Sequence, residues 1–150
     1  MRKFFEVNQK FMEYGKTSAK LPERATKHSA GYDFFCPTQI ELKPHSSTLV
    51  WSNVKAKFNE NEVLLLCVTS GMGKRGIMLA NNLGVVDCDY FENEFNDGNI
   101  GFRLYNFLDD PYILKEGEKI GQGIFTTFLK VDDETLVTQT RKGGFGSTDH

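Results

Sequence analysis

The sequence predicts an all-β fold, organised as a sandwich or a barrel. Apolar residues alternate or cluster over short, strand-like lengths, and Gly, Pro and Asn separate these lengths. No stretch longer than about ten residues keeps the 3.6-residue apolar period of a helix. Because parallel sheets need helical crossovers between their strands, many short strands without helices indicate an antiparallel architecture.

The predicted strands are short and follow one another at fairly regular spacing. Turn-forming residues bound them, as in the Lys-Pro-His-Ser-Ser run at 43–47 and the Asn-Asp-Gly run at 96–98. In chain order the predicted strands are 2–7, 31–35, 39–42, 47–54, 63–69, 77–79, 84–87, 100–106, 119–128 and 137–140.

The chain has 150 residues, and we expect residues 1–150 to form one domain with its own core. A net charge of -2 leaves no excess of cations, which argues against binding to nucleic acid or to an anionic membrane. Cys36, Cys67 and Cys88 are odd in number and widely spaced, a pattern that favours free thiols in a reducing cytoplasm over disulfides or a zinc site. The apolar stretches near the start are too short for a membrane span.

Residues 141–150 differ in composition from the rest of the chain. Several glycines, the flanking Arg141, and adjacent hydroxyls at Ser147 and Thr148 are the ingredients of a phosphate-binding segment. Phe145 lies between glycines, where an exposed ring can stack on a nucleobase. Since such a segment cannot anchor itself in a core, we expect it to be mobile until a ligand or partner orders it. The alternative is a disordered tail without function.

The run 81–90 combines a turn with a carboxylate at the end of an apolar strand. Asn81, Asn82 and Gly84 permit a tight hairpin whose backbone amides and carbonyls can face a base. Asp87 follows the strand directly and is expected to be held rigidly, as a water-activating base must be. The alternative is that the acidic residues simply begin an exposed loop.

Two further polar residues interrupt strand-like segments. Asp33 lies within the apolar run 31–35, so its carboxylate should face solvent, cap a group or belong to a site, because burial of an unpaired charge is costly. Gln122 lies among small residues, where its amide can donate to a phosphate oxygen. The glycine-rich run 69–76 lacks the spacing of a P-loop and is predicted to be a polar loop.

Taken in order, these segments resemble the five motifs of the trimeric dUTPase family, and the match extends from about residue 21 to the C-terminus. The segments that resemble the motifs are 29–33, 70–73, 81–90, 117–125 and 141–148. The third and the fifth are the most diagnostic. The loop after Tyr90 is similar to a variant found in bacterial and phage members.

The resemblance implies a jelly-roll-like β fold that assembles as a homotrimer, with active sites at subunit interfaces and a flexible C-terminal lid at 141–150. It also implies hydrolysis of dUTP to dUMP and pyrophosphate in the cytoplasm, which is the host cytoplasm for a phage-encoded enzyme. Mg²⁺ would be held mainly by the substrate phosphates, and Asp33 would support the metal indirectly, through water.

By the same resemblance, Asp87 activates the water that attacks the α-phosphorus, and Tyr90 packs on the deoxyribose. Asn81 and the backbone through Gly84 read uracil, while Phe145 stacks on it. The remaining substrate-binding residues that the motifs imply are Ser70, Gly71, Gln122, Arg141, Gly146, Ser147 and Thr148.

The sequence departs from the family at phosphate-binding positions. Thr69 stands where members usually carry Arg, Lys119 replaces the Arg of the fourth motif, and the loop after Ser70 is shorter. Losing a bidentate contact of this kind costs about 1.5–3 kcal/mol. Two alternatives therefore stay open. One is a dUTPase-fold regulator that binds nucleotide or a protein partner with weak or lost catalysis, and the other is a dCTP deaminase.

Overall fold

The computed structural model describes residues 1–144, and nearly all of their regular structure is β. The all-β prediction is confirmed. The strands are β1 Lys3–Glu6, β2 Tyr32–Phe35, β3 Ile40–Leu42, β4 Ser47–Trp51, β5 Val54–Lys57, β6 Glu62–Cys67, β7 Ile77–Leu79, β8 Gly84–Val86, β9 Gly101–Asn106, β10 Tyr112–Leu114 and β11 Lys119–Thr127. A short helix, α1, covers Ser70–Lys74, and 3₁₀ turns cover Gln9–Phe11 and Cys88–Tyr90.

The strands pair antiparallel in two larger sheets and two ribbons. One sheet has the order β2-β11-β6-β8 and the other the order β4-β9-β7, while β1 pairs with β5 and β3 pairs with β10. Gln122 of β11 lies opposite Asp33 of β2 on one side and Cys67 of β6 on the other. Leu64 of β6 lies opposite Val86 of β8. These registers fix where the site residues lie.

Aromatic packing joins the two larger sheets. Phe34 of β2 and Phe102 of β9 are fully buried, and their ring centroids are 5.2 Å apart. Burial of each ring stabilises the fold by about 1.5–3 kcal/mol. Gly121 lies at a bulge in β11, and a Cβ at this position would overlap the Phe102 ring. Glycine therefore allows β11 to approach the core closely.

The predicted strand 47–54 is divided into β4 and β5. Asn53, at the break, is fully buried and has a φ of 62°, a left-handed conformation that Asn tolerates better than most residues. Its backbone N–H donates to Asn99 Oδ1 at 2.9 Å, and its Nδ2 donates to the Glu13 carbonyl at 3.2 Å. Side-chain alternation did not reveal this break because it depends on the conformation of the backbone.

Three other segments differ from their predictions. Residues 137–140 lie within the described part of the chain and form no strand, although a strand was predicted there. Strand β10, in contrast, was not predicted. Residues 69–76, predicted to be a loop, contain α1, which Thr69 caps by accepting a hydrogen bond from the Met72 amide at 3.4 Å. A helix of this length is too short to display an apolar period, so sequence periodicity could not predict it. No helix among residues 1–144 is long and apolar enough to cross a membrane.

Candidate active site

Asp87 lies at the end of β8, between two buried residues. Val86 precedes it in the strand, and Tyr90 follows it in the 3₁₀ turn, where the Tyr90 amide donates to the Asp87 carbonyl at 3.1 Å. The Asp87 side chain itself is 51% exposed. The backbone at Asp87 is thus fixed on both sides, while its carboxylate is half-exposed.

Tyr90 is buried and its hydroxyl is held on two sides. The hydroxyl donates to the Asn99 carbonyl and accepts a hydrogen bond from Asn96 Nδ2 at 2.8 Å. Burial raises the pKa of Tyr90 well above its ordinary value, although Asn96 and Arg141 oppose the shift, so the phenol stays protonated. A Cβ at Gly144 would overlap the Tyr90 ring, which means that the tail backbone lies directly against the ring.

Arg141 connects the tail to the acidic residues that follow β8. Its Nη2 lies 2.7 Å from Asp87 Oδ2, and its Nε lies 2.7 Å from Asp89 Oδ1. Its Nη1 also donates to the Gly143 carbonyl at 3.1 Å. The sequence predicts that Arg141 contacts phosphates; in this structure its guanidinium pairs with two carboxylates of its own chain.

Asn81 lies in an exposed turn that joins the two larger sheets. The Leu83 amide donates to the Asn81 carbonyl at 2.7 Å, Asn81 Nδ2 donates to the Leu83 carbonyl at 3.3 Å, and Asn82 has a φ of 64°. Because β7 pairs with β9 and β8 pairs with β6, the prediction of a tight paired hairpin was wrong. Gly84 begins β8 where a Cβ would lie 2.8 Å from Leu66 Cβ, so only glycine allows this close approach.

Ser70, Gly71, Gln122 and Asp33 form a second group at the other end of β6. Ser70 and Gly71 are exposed at the start of α1. Gln122 Nε2 donates to the Val68 carbonyl at 3.3 Å, and its side chain covers Gly31 so closely that a Cβ there would overlap it. The buried carboxylate of Asp33 forms an ion pair with Lys119, whose Nζ lies 2.9 Å from Asp33 Oδ2, and the sequence did not predict this cross-strand pair.

The Asp87 group and the Gln122 group are far apart within one chain. Asp87 follows Val86, which lies opposite Leu64, whereas Gln122 lies opposite Cys67. This register separates the two levels by about 13 Å along the strands, at roughly 3.3 Å per residue. The backbone positions of Asp87 and Gln122 are therefore well separated along the strands of one chain.

The predicted substrate-binding residues Phe145, Gly146, Ser147 and Thr148 lie outside the described residues. Within residues 1–144, no group of three or more His, Cys, Asp or Glu side chains is arranged to hold a metal ion. No role was assigned from the sequence to two groups near the site. One is Asp89, which binds Arg141, and the other is the asparagine-rich loop after Tyr90, whose Asn96 binds the Tyr90 hydroxyl; the density of Asn residues at 93–99 was the available signal.

The fold and these groups define a class: an antiparallel β protein with a half-exposed carboxylate at the end of β8 and the exposed residues Ser70 and Gly71 at the start of α1. A family model for dUTPase matches residues 17–149. The deoxyuridine 5'-triphosphate nucleotidohydrolase of Lactococcus lactis subsp. lactis (strain IL1403) is 37% identical over 96% of this chain and 95% of its own. The chain therefore belongs to the dUTPase family.

Solved structures agree with this assignment. The crystal structure of a dUTPase from Streptococcus mutans superimposes with a TM-score of 0.74 at 35% identity, covering 86% of this chain and 98% of that one. A variant dUTPase of phage phi11 of S. aureus, described with a coordinated structural Mg(II) ion, gives a TM-score of 0.70 at 18% identity, covering 91% and 96%. The jelly-roll-like fold is thus confirmed.

Proposed function

We propose that this chain hydrolyses dUTP to dUMP and pyrophosphate, with Asp87 as the general base. The observation that carries the proposal is the position of Asp87: its backbone is fixed between buried Val86 and Tyr90, while its carboxylate is half-exposed. A base needs this combination of fixed position and access to water. The family to which the chain belongs supplies the substrate.

The reaction balances with one water and one carboxylate. Asp87 accepts a proton as the water oxygen bonds to the α-phosphorus, and the bond from that phosphorus to the α,β-bridging oxygen breaks. Its electron pair leaves with pyrophosphate, and dUMP retains the new oxygen. Such in-line transfer depends on positioning and charge neutralisation more than on covalent catalysis, so donors such as Ser70, Gly71 and Gln122 suffice on the protein side.

The described residues fit a Mg²⁺ ion that the substrate phosphates carry, since they provide single carboxylates and not a cage. The ion would neutralise phosphate charge. Asp33 would contact the water shell of the ion, in exchange for its ion pair with the half-exposed Lys119 side chain. Thr69 and Lys119 replace two family arginines; Thr69 caps α1 and Lys119 pairs with Asp33.

Base and sugar recognition are assigned to the residues around β8. We propose that Asn81 and the backbone through Gly84 read uracil and that Tyr90 packs on the deoxyribose. Segment 141–150 closes the site, with Phe145 on the base and Gly146, Ser147 and Thr148 near the phosphates. Arg141 then exchanges its carboxylate partners for phosphate oxygens, which are equally good acceptors for a guanidinium.

We further propose a homotrimer in which one subunit provides the Asp87 group and another provides the Gln122 group. The separation of the two groups within one chain supports this assembly. The segment after β11 supports it as well, because its large apolar side chains are highly exposed: Leu129 96%, Val131 73%, Leu136 84% and Val137 75%. Such residues are suited to cover another subunit.

The test is turnover of separate deoxynucleoside triphosphates by the purified protein with Mg²⁺. Pyrophosphate released from dUTP alone supports the proposal. Binding of dUTP without turnover would support the regulator, and consumption of dCTP would support a deaminase. The free thiols of Cys36, Cys67 and Cys88 suit the cytoplasmic location that we propose for this activity.

A further inference from the structure

A turn of asparagines lies behind Tyr90 and holds its hydroxyl. Asn96 Oδ1 accepts hydrogen bonds from Asn93 Nδ2 at 2.7 Å and from the Gly98 amide at 3.1 Å. Two donors at the oxygen fix which way the Asn96 amide points. Its Nδ2 is therefore left to donate to the Tyr90 hydroxyl at 2.8 Å.

The turn is anchored in the body of the protein. Asp97 Oδ2 accepts from Lys55 Nζ at 2.8 Å and from the Asn8 amide at 2.7 Å, and Glu92 Oε1 also accepts from Lys55 Nζ at 3.0 Å. The side chains of Lys55 and Asp97 are only 10% and 12% exposed, so water competes little for this ion pair. Charged hydrogen bonds of this kind are stronger than neutral ones and make the turn a rigid support.

The hydroxyl is the far end of the Tyr90 ring, and the ring itself faces the tail at Gly144. An aromatic ring that excludes a ribose 2′-hydroxyl by steric clash must keep a fixed position in the site. The donor from Asn96 and the acceptor at the Asn99 carbonyl together restrict rotation of the ring about its side-chain torsions.

We propose that Asn96 is a positioning residue that sets the discrimination between deoxyribose and ribose by fixing the Tyr90 ring. The inference rests on the proposed function, in which Tyr90 packs on the sugar. It assigns to the 93–99 turn a part in specificity, through one side-chain hydrogen bond to the phenol.

The test compares kcat/KM for dUTP with kcat/KM for UTP in wild type, Asn96→Ala, Tyr90→Phe and the double variant. Loss of one buried hydrogen bond predicts a roughly tenfold fall in the dUTP-to-UTP ratio for Asn96→Ala. Tyr90→Phe removes this hydrogen bond together with the one to the Asn99 carbonyl, so it should lower the ratio at least as much, with no further fall when Asn96→Ala is added. Glu94→Ala, an exposed neighbour on the same turn, is the matched control and should leave the ratio unchanged.

The variants separate positioning from general stability. An Asn96→Ala protein that only unfolds more easily would lose activity toward both nucleotides equally, and that result would overturn the inference. So would additive losses in the double variant. Should Asn96→Ala not fold, Tyr90→Phe remains: it lacks the hydrogen bonds to both Asn96 and Asn99, and an unchanged ratio there overturns the inference. A wild type without dUTP turnover would instead overturn the proposed function, and this inference with it.

Discussion

The carboxylate of Asp87 is the group on which the proposed chemistry depends. Asp87→Asn keeps the size of the side chain and can still accept a hydrogen bond, but it cannot take a proton from water. We expect kcat to fall at least about 100-fold, as for loss of a general base. The melting temperature and the Kd for dUTP should change little. Steady-state kinetics and calorimetric titration check this, and near-normal turnover would remove Asp87 from the role of base.

Residue-scale predictions from the sequence succeeded where neighbours in the chain determine the environment. Asp87 follows an apolar strand, and this context alone predicted a fixed carboxylate at a strand end. The ion-pair partner of Asp33 was not predicted, because Lys119 lies on β11, which pairs with β2 but is far from it in sequence. Lys55 was missed for a similar reason, since its partners Glu92 and Asp97 lie in a distant turn.

At the scale of elements, the contact between β8 and β6 requires glycine at position 84. A Cβ at Gly84 would lie 2.8 Å from Leu66 Cβ, so Gly84→Ala must displace β8 and with it Asp87. We expect a loss of about 1–3 kcal/mol in the free energy of unfolding, as for other overpacked cores, and reduced kcat. Gly73→Ala is the control, because a Cβ in that helical position meets nothing within 4 Å. Urea unfolding measures both, and equal stabilities would contradict the packing argument.

The buried thiol of Cys36, which follows β2, is expected to make the stability of the fold depend on pH in the alkaline range. Burial raises the pKa of Cys36 from its ordinary 9.0 to about 11, and nearby Glu118 and Glu116 add to the effect against a hydrogen bond to Thr38. The folded state therefore holds this proton more tightly than the unfolded state. The stabilisation is present below pH 9 and is lost as the pH rises toward 11.

The expected loss from Cys36 is on the order of 2 kcal/mol, since one pKa unit corresponds to about 1.4 kcal/mol. Urea unfolding at pH 8 and at pH 11 measures it. Cys36→Ala should show a weaker pH dependence than wild type, whereas Cys67→Ala should change it less, because Cys67 is less buried. Identical pH dependence in wild type and Cys36→Ala would contradict the assignment.

Strands were predictable where apolar and polar residues alternate regularly. They were not predictable where a local backbone conformation ends a strand or begins a helix. Strands such as β2, β7 and β9 match their predicted segments closely. The break at Asn53 depends on a left-handed backbone and on hydrogen bonds to Asn99 and Glu13, which alternation does not encode. The role of Thr69 as a helix cap likewise depends on the three residues that follow it.

For the whole molecule, the tail beyond Arg141 is expected to act only when substrate is bound. Deleting residues 143–150 should leave a folded trimer with little activity, because closure over the substrate is lost while the strands remain. Light scattering gives the mass, and single-turnover kinetics gives the rate. An unchanged kcat would show that the segment is not a lid.

From the sequence, a homotrimer could be expected only because the chain resembles a family of trimeric proteins. The structure adds a physical reason, because the β6 register holds the Asp87 group and the Gln122 group at different levels of one sheet. No pattern within either segment could reveal that distance. It arises from strand pairing between segments far apart in the chain.

The most direct test of a site shared between subunits is activity in mixed trimers of Asp87→Asn and Gln122→Ala. Each pure variant should be nearly inactive. After the two are unfolded together and refolded in equal amounts, random assembly should give both native residues to about a quarter of the sites if they come from different subunits. We therefore predict recovered dUTP hydrolysis well above the mean of the two pure variants. Activity no higher than that mean would contradict a shared site.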